Sequence, residues 1–316
     1  MFVARNHKGL SCNALEEKIE KGADFVCPAC SGAVRFKKGK VMQPHFAHIS
    51  LEECRFYREN ESAEHLNLKA ELFRWAVQTE EVEVEAFLPA LQQIADLLVD
   101  EKLALEVQCS PLSIERLQER TLSYRLHGYQ VLWLLGRKLW LKDALTRLQK
   151  DFLYFSKNMG FHLWELDQEK QVLRLQYLIH EDLHGKVQHK TKNFPFGHGQ
   201  LLDILRLPFQ KQKMNSFLAQ QDPQICNYIR RQLYYQQPRW MRLQAKLYQA
   251  GDNLLTKTAE DFYPQVRPIQ ATSFSQITTD LTGYYQQFEN YYANLQQKNL
   301  QIVYSPAFYE MIREKC

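Results

Sequence analysis

The stretch Ile94-Ala-Asp-Leu-Leu-Val-Asp-Glu-Lys-Leu-Ala-Leu-Glu-Val-Gln108 decides how the middle of this chain folds. Apolar and polar residues alternate on both sides of the charged triplet 100–102, a pattern typical of two short strands joined by a tight turn. If the hairpin is symmetric about Glu101, Asp96 faces Glu106 across the two strands. Directly opposed side chains have Cβ atoms only about 5 Å apart.

Two carboxylates at this spacing imply a cation. They repel each other, and the pKa of one of them rises unless a positive charge lies nearby. A divalent metal ion bound by Asp96 and Glu106 would remove the repulsion. Two alternatives stay open: a register slip of one residue would place the acids on opposite faces, or both could be solvated strand acids.

The segments around the hairpin predict an α/β fold. Apolar residues recur at helical or strand spacing, and proline and glycine mark the ends of segments. The order is helix, three strands, helix, strand (αβββαβ), which is the order of a restriction-endonuclease-like core. The predicted flanking segments are a helix over 61–77, a strand over 82–88, a helix over 113–127 and a buried strand over 130–136.

A second pattern near the N-terminus predicts a small zinc-ribbon-like module. Cys27-x-x-Cys30 is followed by His45-x-x-His48. Four thiolate and imidazole ligands around one ion are typical of a structural zinc site, and so small a module has little core of its own. Cys54 and Cys12 are alternative ligands if either histidine is not one. The other interpretation is a pair of buried cysteines and two histidines near a loop.

These motifs together carry a family resemblance. The hairpin resembles the metal-binding hairpin of the PD-(D/E)XK nuclease superfamily, with Gln108 where lysine is commoner. Over residues 1 to about 140 the chain is similar to the competence protein CoiA family. The remaining motifs that carry this resemblance are Cys27-Pro-Ala-Cys30, His45-Phe-Ala-His48, Glu64-His65 with Lys69, Glu106-Val-Gln108, Arg120-Thr121 with Tyr124, and Val131-Leu-Trp133.

The resemblance implies a catalytic Mg²⁺ or Mn²⁺ beside the structural zinc. Its expected ligands are Asp96, Glu106, the carbonyl oxygen of Val107 and a glutamate of the first helix, Glu64, with Glu71 as the alternative. Gln108 would stand in the catalytic lysine's place, although an amide cannot take up a proton at neutral pH. DNA contacts are expected from Lys69, Arg120 and Tyr124, with packing or salt bridges as the alternative for Arg120 and Tyr124.

The function implied by the resemblance is DNA processing in natural transformation. The chain is expected to be a metal-dependent endonuclease acting on single-stranded or branched recombination intermediates. The alternatives are a DNA-binding recombination accessory that does not cut, and an adaptor that binds proteins alone. The expected partners are DNA and a recombinase or other competence proteins.

Bulk properties agree with a globular protein. The chain has 316 residues, a net charge of +4 and a sequence pI near 8.5, which permits nucleic-acid binding without requiring it. No apolar run is long enough to span a membrane, and the first residues lack a secretory apolar core, so a cytoplasmic location is expected. Seven cysteines, an odd number, do not suggest a disulfide framework.

Three domains are predicted: a zinc-binding module over 1–58, a nuclease-like domain over 59–192 and a mostly α-helical domain over 193–316. Residues 141–158 are predicted as one helix, and 193–199 as a linker. In the C-terminal region, tyrosines alternate with arginines over 228–248. Such a pattern suits stacking on single-stranded bases, but it also occurs in a helical core with a basic rim.

Overall fold

A computed structural model describes residues 1–19, 24–39, 42–50, 54 and 61–313. The N-terminal module is an antiparallel sheet with the strand order β2-β1-β3-β4-β5. Phe2 and Phe46 of this module are buried in the same apolar cluster as Leu72 of the following helix, so the module packs against the rest of the chain. Its strands are β1 (Val3–Asn6), β2 (Ser11–Asn13), β3 (Phe25–Val26), β4 (Ala33–Lys37) and β5 (His45–His48).

The predicted order of helix, three strands, helix and strand is present. The side chains of Ser62 and Ser113 accept hydrogen bonds from the backbone N–H groups of His65 and Arg116, both at 3.2 Å, which fixes where the two helices begin. The elements are α1 (Ala63–Ala76), β6 (Val82–Leu88), β7 (Gln93–Val99), β8 (Leu103–Gln108), α2 (Ile114–Leu126) and β9 (Gln130–Leu135).

The hairpin has the predicted register. Leu97 pairs with Leu105 and Val99 with Leu103, which is the arrangement symmetric about Glu101. Asp100 and Glu101 both have positive φ, +49° and +53°. Two successive residues with positive φ form the tight turn whose twist matches that of the flanking strands.

The large sheet continues well beyond the hairpin, in the order β13-β12-β11-β9-β8-β7-β6. Strand β9 runs parallel to β8 and to β11, and the remaining neighbours are antiparallel. Helix α1 packs on one face of this sheet, with Leu97 and Leu105. Tyr124 of α2 packs on the other face, with Leu98 and Ala104. The added elements are α3 (Arg147–Asp151), β10 (Tyr154–Ser156), β11 (Gly160–Asp167), β12 (Val172–Asp182) and β13 (Val187–Pro195).

Two details differ from the sequence prediction here. Residues 141–158 do not form one helix, because 154–156 pair with β11 as a strand. Residues 193–195, predicted as part of a linker, are the end of β13, which pairs with β12 along its length. In both cases the strand is defined by hydrogen bonds to a neighbouring strand of the chain, a pairing that local periodicity does not reveal.

The described C-terminal region is mainly helical with three short strands, and one of these strands joins the large sheet. Strand β15 pairs with β12, and β14 pairs with β16. Within the described ranges, no helix combines the length and apolarity that crossing a membrane requires. The elements are α4 (Leu201–Arg206), β14 (Ser216–Leu218), α5 (Ile225–Tyr234), α6 (Pro238–Gln249), β15 (Val266–Pro268), α7 (Thr282–Ala293), β16 (Ile302–Tyr304) and α8 (Pro306–Arg313).

Candidate metal centres

Four metal-ligand side chains meet in the N-terminal module: the donor atoms of Cys27, Cys30, His48 and Cys54 all lie within 4.8 Å of one another. Sγ of Cys30 is 3.5 Å from Nε2 of His48. Burial raises the pKa of the Cys27 thiol to about 12, so that thiol keeps its proton unless a cation displaces it. Three thiols and an imidazole are a donor set that zinc prefers, and the set fits a closed structural site.

Gly32 lies against this group. A Cβ atom at this position would lie 3.2 Å from Sγ of Cys30 and 3.7 Å from the His48 ring. The backbone N–H of Gly32 also points to Sγ of Cys30, at 3.4 Å. A larger residue would therefore crowd the donor atoms.

His45, predicted as the third ligand, lies outside this group, and Cys54 takes its place. His45 and His48 are the first and last residues of β5, three positions apart. Side chains alternate along a strand, so residues three apart point to opposite faces. The imidazole Nδ1 of His45 instead lies 2.8 Å from the carbonyl oxygen of Gln43.

A second group joins α1 to the hairpin. The donor atoms of Glu61, His65 and Asp96 lie within 4.8 Å of one another. Nε2 of His65 is 3.1 Å from Oε1 of Glu61 and 3.2 Å from Oδ1 of Asp96. Glu61 immediately precedes Ser62, the N-cap of α1, and His65 lies in the first turn, so the carboxylate and the imidazole meet at the N-terminal end of this helix.

Lys69, one turn further along α1, neutralises the acids around it. Its side chain is fully buried, and its Nζ lies 2.5 Å from Oε1 of Glu61, 2.7 Å from Oε1 of Glu85 and 3.5 Å from Oδ1 of Asp96. Burial alone would lower the pKa of Lys69, but the three carboxylates outweigh it and raise that pKa above the usual value. The ammonium group therefore stays charged.

The same charges set the protonation states of Asp96 and His65. Burial would raise the pKa of Asp96, but His65 and Lys69 outweigh it and lower that pKa to about 2. Burial would lower the pKa of His65, but Asp96, then a hydrogen bond to Cys109, raise it well above its usual value. The pair is thus a carboxylate and an imidazolium at neutral pH.

Asp96 turns toward α1 because the strand is irregular at this point. Ala95 and Leu98 pack in the same cluster with Tyr124, although residues three apart on a regular strand face opposite ways. The register places Glu85 opposite Asp96, and Glu85 has a φ of +53°, which is uncommon for a residue with a side chain. The distortion takes the Asp96 carboxylate away from the face of α2.

Glu106 remains on the α2 face. Its Oε1 accepts hydrogen bonds from Arg120, at 2.6 Å, and from the hydroxyl of Tyr124, at 2.5 Å. Burial raises the pKa of Glu106 to about 7; Arg120 opposes the rise and Asp96 adds to it. The two acids of the hairpin therefore interact electrostatically, but their carboxylates contact different helices.

The other residues predicted around the acids have separate partners. The backbone N–H of Val107 donates to Oδ2 of Asp96 at 2.8 Å. The side-chain amide of Gln108 donates to the carbonyl oxygen of Ser110 at 2.6 Å. Oε1 of Glu64 accepts from the backbone N–H of Arg137 at 2.8 Å.

The predicted DNA contacts need correction. Lys69 and Tyr124 are fully buried, so neither can reach a phosphate or a base in this structure. The guanidinium of Arg120 is partly exposed, but it contacts Glu106 and lies 5.2 Å from the ring centre of Trp133. Their hydrogen-bonding groups are used inside the protein because α2 and α1 both pack directly on the sheet.

The N-terminal module touches the acid group directly. Oε2 of Glu85 accepts hydrogen bonds from the backbone N–H groups of Phe2, at 2.6 Å, and Val3, at 3.0 Å. The Met1 ammonium nitrogen lies 2.7 Å from Oε2 of Glu61. The first three residues of the module therefore supply donors to the same carboxylates that hold Lys69.

Two family models match most of the first two thirds of the chain. Residues 61–207 match the sequence model of the nuclease-like domain of competence protein CoiA, and residues 9–57 match the model of the N-terminal domain of that protein. The chain belongs to the competence protein CoiA family. The donor atoms of Glu61, His65 and Asp96 all lie in the nuclease-like domain of this family.

Competence protein CoiA of Bacillus subtilis (strain 168) is 32% identical over 145 residues. The match covers 45% of this chain and 36% of that relative, so the chain spans about a third of the relative's length. No solved structure matches the chain. The C-terminal region beyond residue 207 lies outside both domain models of the CoiA family.

Sequence reasoning missed the metal-ligand roles open to Glu61 and His65. It took Glu64 as the acid of the first helix, whereas Glu64 contacts Arg137. Helical spacing did not indicate this pair, because Glu61 precedes the N-cap Ser62 and lies outside α1. Asp96 then completes the group from the hairpin.

Proposed function

We propose that this chain is a divalent-metal-dependent DNA endonuclease that acts on single-stranded or branched recombination intermediates during natural transformation. The observation that supports it is the group of Glu61, His65 and Asp96, with donor atoms within 4.8 Å, in a nuclease-like domain. Carboxylate oxygens suit Mg²⁺ and Mn²⁺, and the imidazole nitrogen favours Mn²⁺ of the two.

These residues fit a cation because the group brings two carboxylates and an imidazole together, and a bound metal ion would replace the proton that His65 carries in the metal-free protein. Bound there, the metal would polarise a phosphodiester oxygen and lower the pKa of a water molecule. Glu106 lies outside this group, on the face of α2, so its ligand role remains part of the prediction from the family resemblance. Since the pKa of Glu106 is about 7, its carboxyl can give up or accept a proton near neutral pH. Ligand roles for the Val107 carbonyl and Glu64 remain part of the prediction from the family resemblance.

The N-terminal group of Cys27, Cys30, His48 and Cys54 is proposed to hold a structural zinc ion. A closed set of four protein ligands leaves no position for water, so this ion would stabilise the module and take no part in hydrolysis. The module in turn supplies the backbone donors to Glu85, so zinc also supports the packing beside the acid group.

A second function is favoured by Lys69 and Gln108. The Lys69 ammonium already neutralises Glu61 and Asp96, and Gln108 is hydrogen-bonded to Ser110. A protein with these features can bind DNA and assist a recombinase without cutting it. In that case the buried ammonium takes over the charge-balancing role that a metal ion has in a nuclease.

Cleavage of labelled single-stranded and branched DNA with Mn²⁺ separates the two functions. The nuclease proposal requires cleavage by the wild type and its loss in Asp96→Asn, with Asp100→Asn, an exposed acid at the turn of the same hairpin, as the matched control that keeps it. DNA binding without cleavage by any variant would instead support the accessory function. Absence of both cleavage and binding would contradict both proposals.

A further inference from the structure

The helical hairpin formed by α5 and α6 presents an exposed surface of arginines and aromatic rings. Tyr234 is 80% exposed, Tyr235 63% and Tyr248 58%. These values matter because a tyrosine in a helical core with a basic rim would be buried. The inner side of the hairpin has its own core, in which Ile225, Ile229, Trp240 and Leu254 are buried.

Helical spacing collects the exposed groups on one side. Arg230, Arg231 and Tyr234 lie within one turn of α5, and all three are exposed. Trp240 and Gln244 of α6 point inward, whereas Arg242 and Lys246, four residues apart, are exposed. The hairpin thus buries one side and leaves a basic, aromatic side uncovered in the described structure.

The charge of this segment has a single sign. Between Asp222 and Asp252 the sequence contains five basic residues and no acidic residue. In the described part of the chain, Arg230, Arg231, Arg242 and Lys246 form no salt bridge. No acidic side chain of this segment neutralises the positive charges, so the surface is suited to bind a polyanion.

We propose that the outer face of the α5–α6 hairpin binds single-stranded DNA, with the arginines on the phosphates and the tyrosines stacked on bases. Single strands are favoured over duplex because exposed rings can stack only on bases that are not already stacked on both sides. The exposed tyrosines Tyr234 and Tyr235 contact each other, with ring centres 5.1 Å apart. The hairpin lies outside both matched family domains, so this surface adds a substrate-holding region to the proposed nuclease.

The inference deepens the proposed function, but it can be tested separately. Fluorescence anisotropy with a labelled thirty-nucleotide oligo-dT, without added Mg²⁺ or Mn²⁺, measures binding independently of cleavage. The double variant Tyr234→Ser/Tyr235→Ser should weaken binding at least about fivefold per stacked ring, whereas Tyr234→Phe/Tyr235→Phe should bind like the wild type. Asp96→Asn should also bind like the wild type, even where it abolishes cleavage.

A salt titration tests the phosphate contacts. Removing two of them with Arg230→Ala/Arg231→Ala should reduce the slope of log affinity against log salt by about 1.4. The matched control Lys211→Ala/Lys213→Ala removes two exposed charges outside the hairpin and should leave the slope nearly unchanged. Thermal unfolding of each variant identifies any that fail to fold. If the Ser double variant does not fold, the comparison of Arg230→Ala/Arg231→Ala with the Phe double variant and the wild type tests the proposal.

Three results would overturn the proposal. One is equal oligo-dT binding by the wild type and both the Ser and the Ala variants. Another is equal binding of oligo-dT and a duplex of the same length, with no effect of the Ser variant, because binding would then depend on charge and not on stacking with bases. The third is binding of anionic phospholipid vesicles without binding of oligo-dT, which would assign the surface to a membrane.

Discussion

The ammonium of Lys69 lies 2.7 Å from Oε1 of Glu85, and both side chains are buried. Glu85 also accepts hydrogen bonds from the backbone of the N-terminal module, and Lys69 also neutralises Glu61 and Asp96. One buried cation therefore balances a carboxylate just before α1, one from β6 and one from β7. The charges of this network are interdependent, because removing any one of them leaves another without a partner in a dry environment.

The substitution Lys69→Met should destabilise the protein by about 3–5 kcal/mol, because it leaves buried carboxylates uncompensated. The matched control is Arg74→Met on the same helix, whose pair with Glu71 is exposed and should contribute less than about 1 kcal/mol. Chemical denaturation of the two variants measures both effects. If both variants unfold at the same denaturant concentration as the wild type, the network carries no charge-balancing role.

Zinc binding should depend on Cys54 and not on His45. Cys54→Ser removes one of four converging donors, so the bound zinc per chain should fall, whereas His45→Ala should retain it. Elemental analysis of the purified proteins gives the metal content directly. Loss of zinc in the His45 variant with retention in the Cys54 variant would restore the ligand set first predicted from the sequence.

Binding of Mn²⁺ should require His65 and tolerate loss of Gln108. His65→Ala removes the imidazole between Glu61 and Asp96, and a drop of at least tenfold in affinity is expected for loss of a ligand or its support. Gln108→Ala should change the affinity by less than about twofold, because this side chain contacts Ser110. Isothermal titration with Mn²⁺ measures both, and equal affinity of the His65 variant would exclude this group as the metal site.

Stability should fall in acid through two buried histidines. Burial lowers the pKa of His162 and of His180 to about 4, so the folded protein keeps both rings neutral while the unfolded chain protonates them below about 6.5. The unfolded state then binds more protons between pH 6.5 and 4, and each histidine reduces the free energy of unfolding by up to about 1.4 kcal/mol per pH unit of acidification.

Histidine variants separate the contribution of the buried histidines to the pH dependence of stability from the contribution of buried acids. Glu106, whose pKa is raised to about 7, acts in the opposite direction, because the folded state then binds the extra proton between pH 4.5 and 7. His180→Gln should flatten the acid slope by about one proton, and the exposed control His127→Gln should not. Denaturation midpoints over pH 4–7 supply the slopes, and identical slopes in all three proteins would refute the assignment.

Gly136 should tolerate no side chain. A Cβ atom there would lie 2.7 Å from Sγ and 3.0 Å from Cα of Cys109, so β8 and the end of β9 would have to separate. Gly136→Ala is expected to cost about 1–3 kcal/mol, as overpacking does. The control Gly39→Ala has open space around its Cβ and should change the free energy of unfolding by less than about 0.5 kcal/mol. Thermal melts of the two variants make the comparison.

Local patterns predicted the nuclease-like part well. The alternation over 94–108 predicted the hairpin and its register, and apolar residues at helical spacing predicted α1 and α2. The strand over 82–88 agrees residue for residue. These features depend on neighbours in the sequence or on hairpin symmetry, which a single chain displays directly.

Features that depend on distant contacts were not predictable in this way. The turning of Asp96 toward α1 follows from the unusual backbone of Glu85, eleven residues earlier, and no pattern indicates it. The donor atom of Cys54, and not that of His45, lies with Cys27, Cys30 and His48, because the first and last residues of β5 point to opposite faces of the sheet. The three-residue strand β15 exists only through its pairing with β12.

The backbone N–H groups of Phe2 and Val3 both donate to Glu85, so hydrogen bonds cross the boundary between the module over 1–58 and the domain that follows it. The chain is therefore unsuited to division at this boundary. A shortened protein beginning at residue 59 would expose an apolar face of α1. It would also leave the Glu85 carboxylate without its two main-chain donors. Attempts to obtain the nuclease-like part alone should therefore give aggregation-prone material, and swapping modules between relatives should succeed only when both sides of this junction are exchanged together.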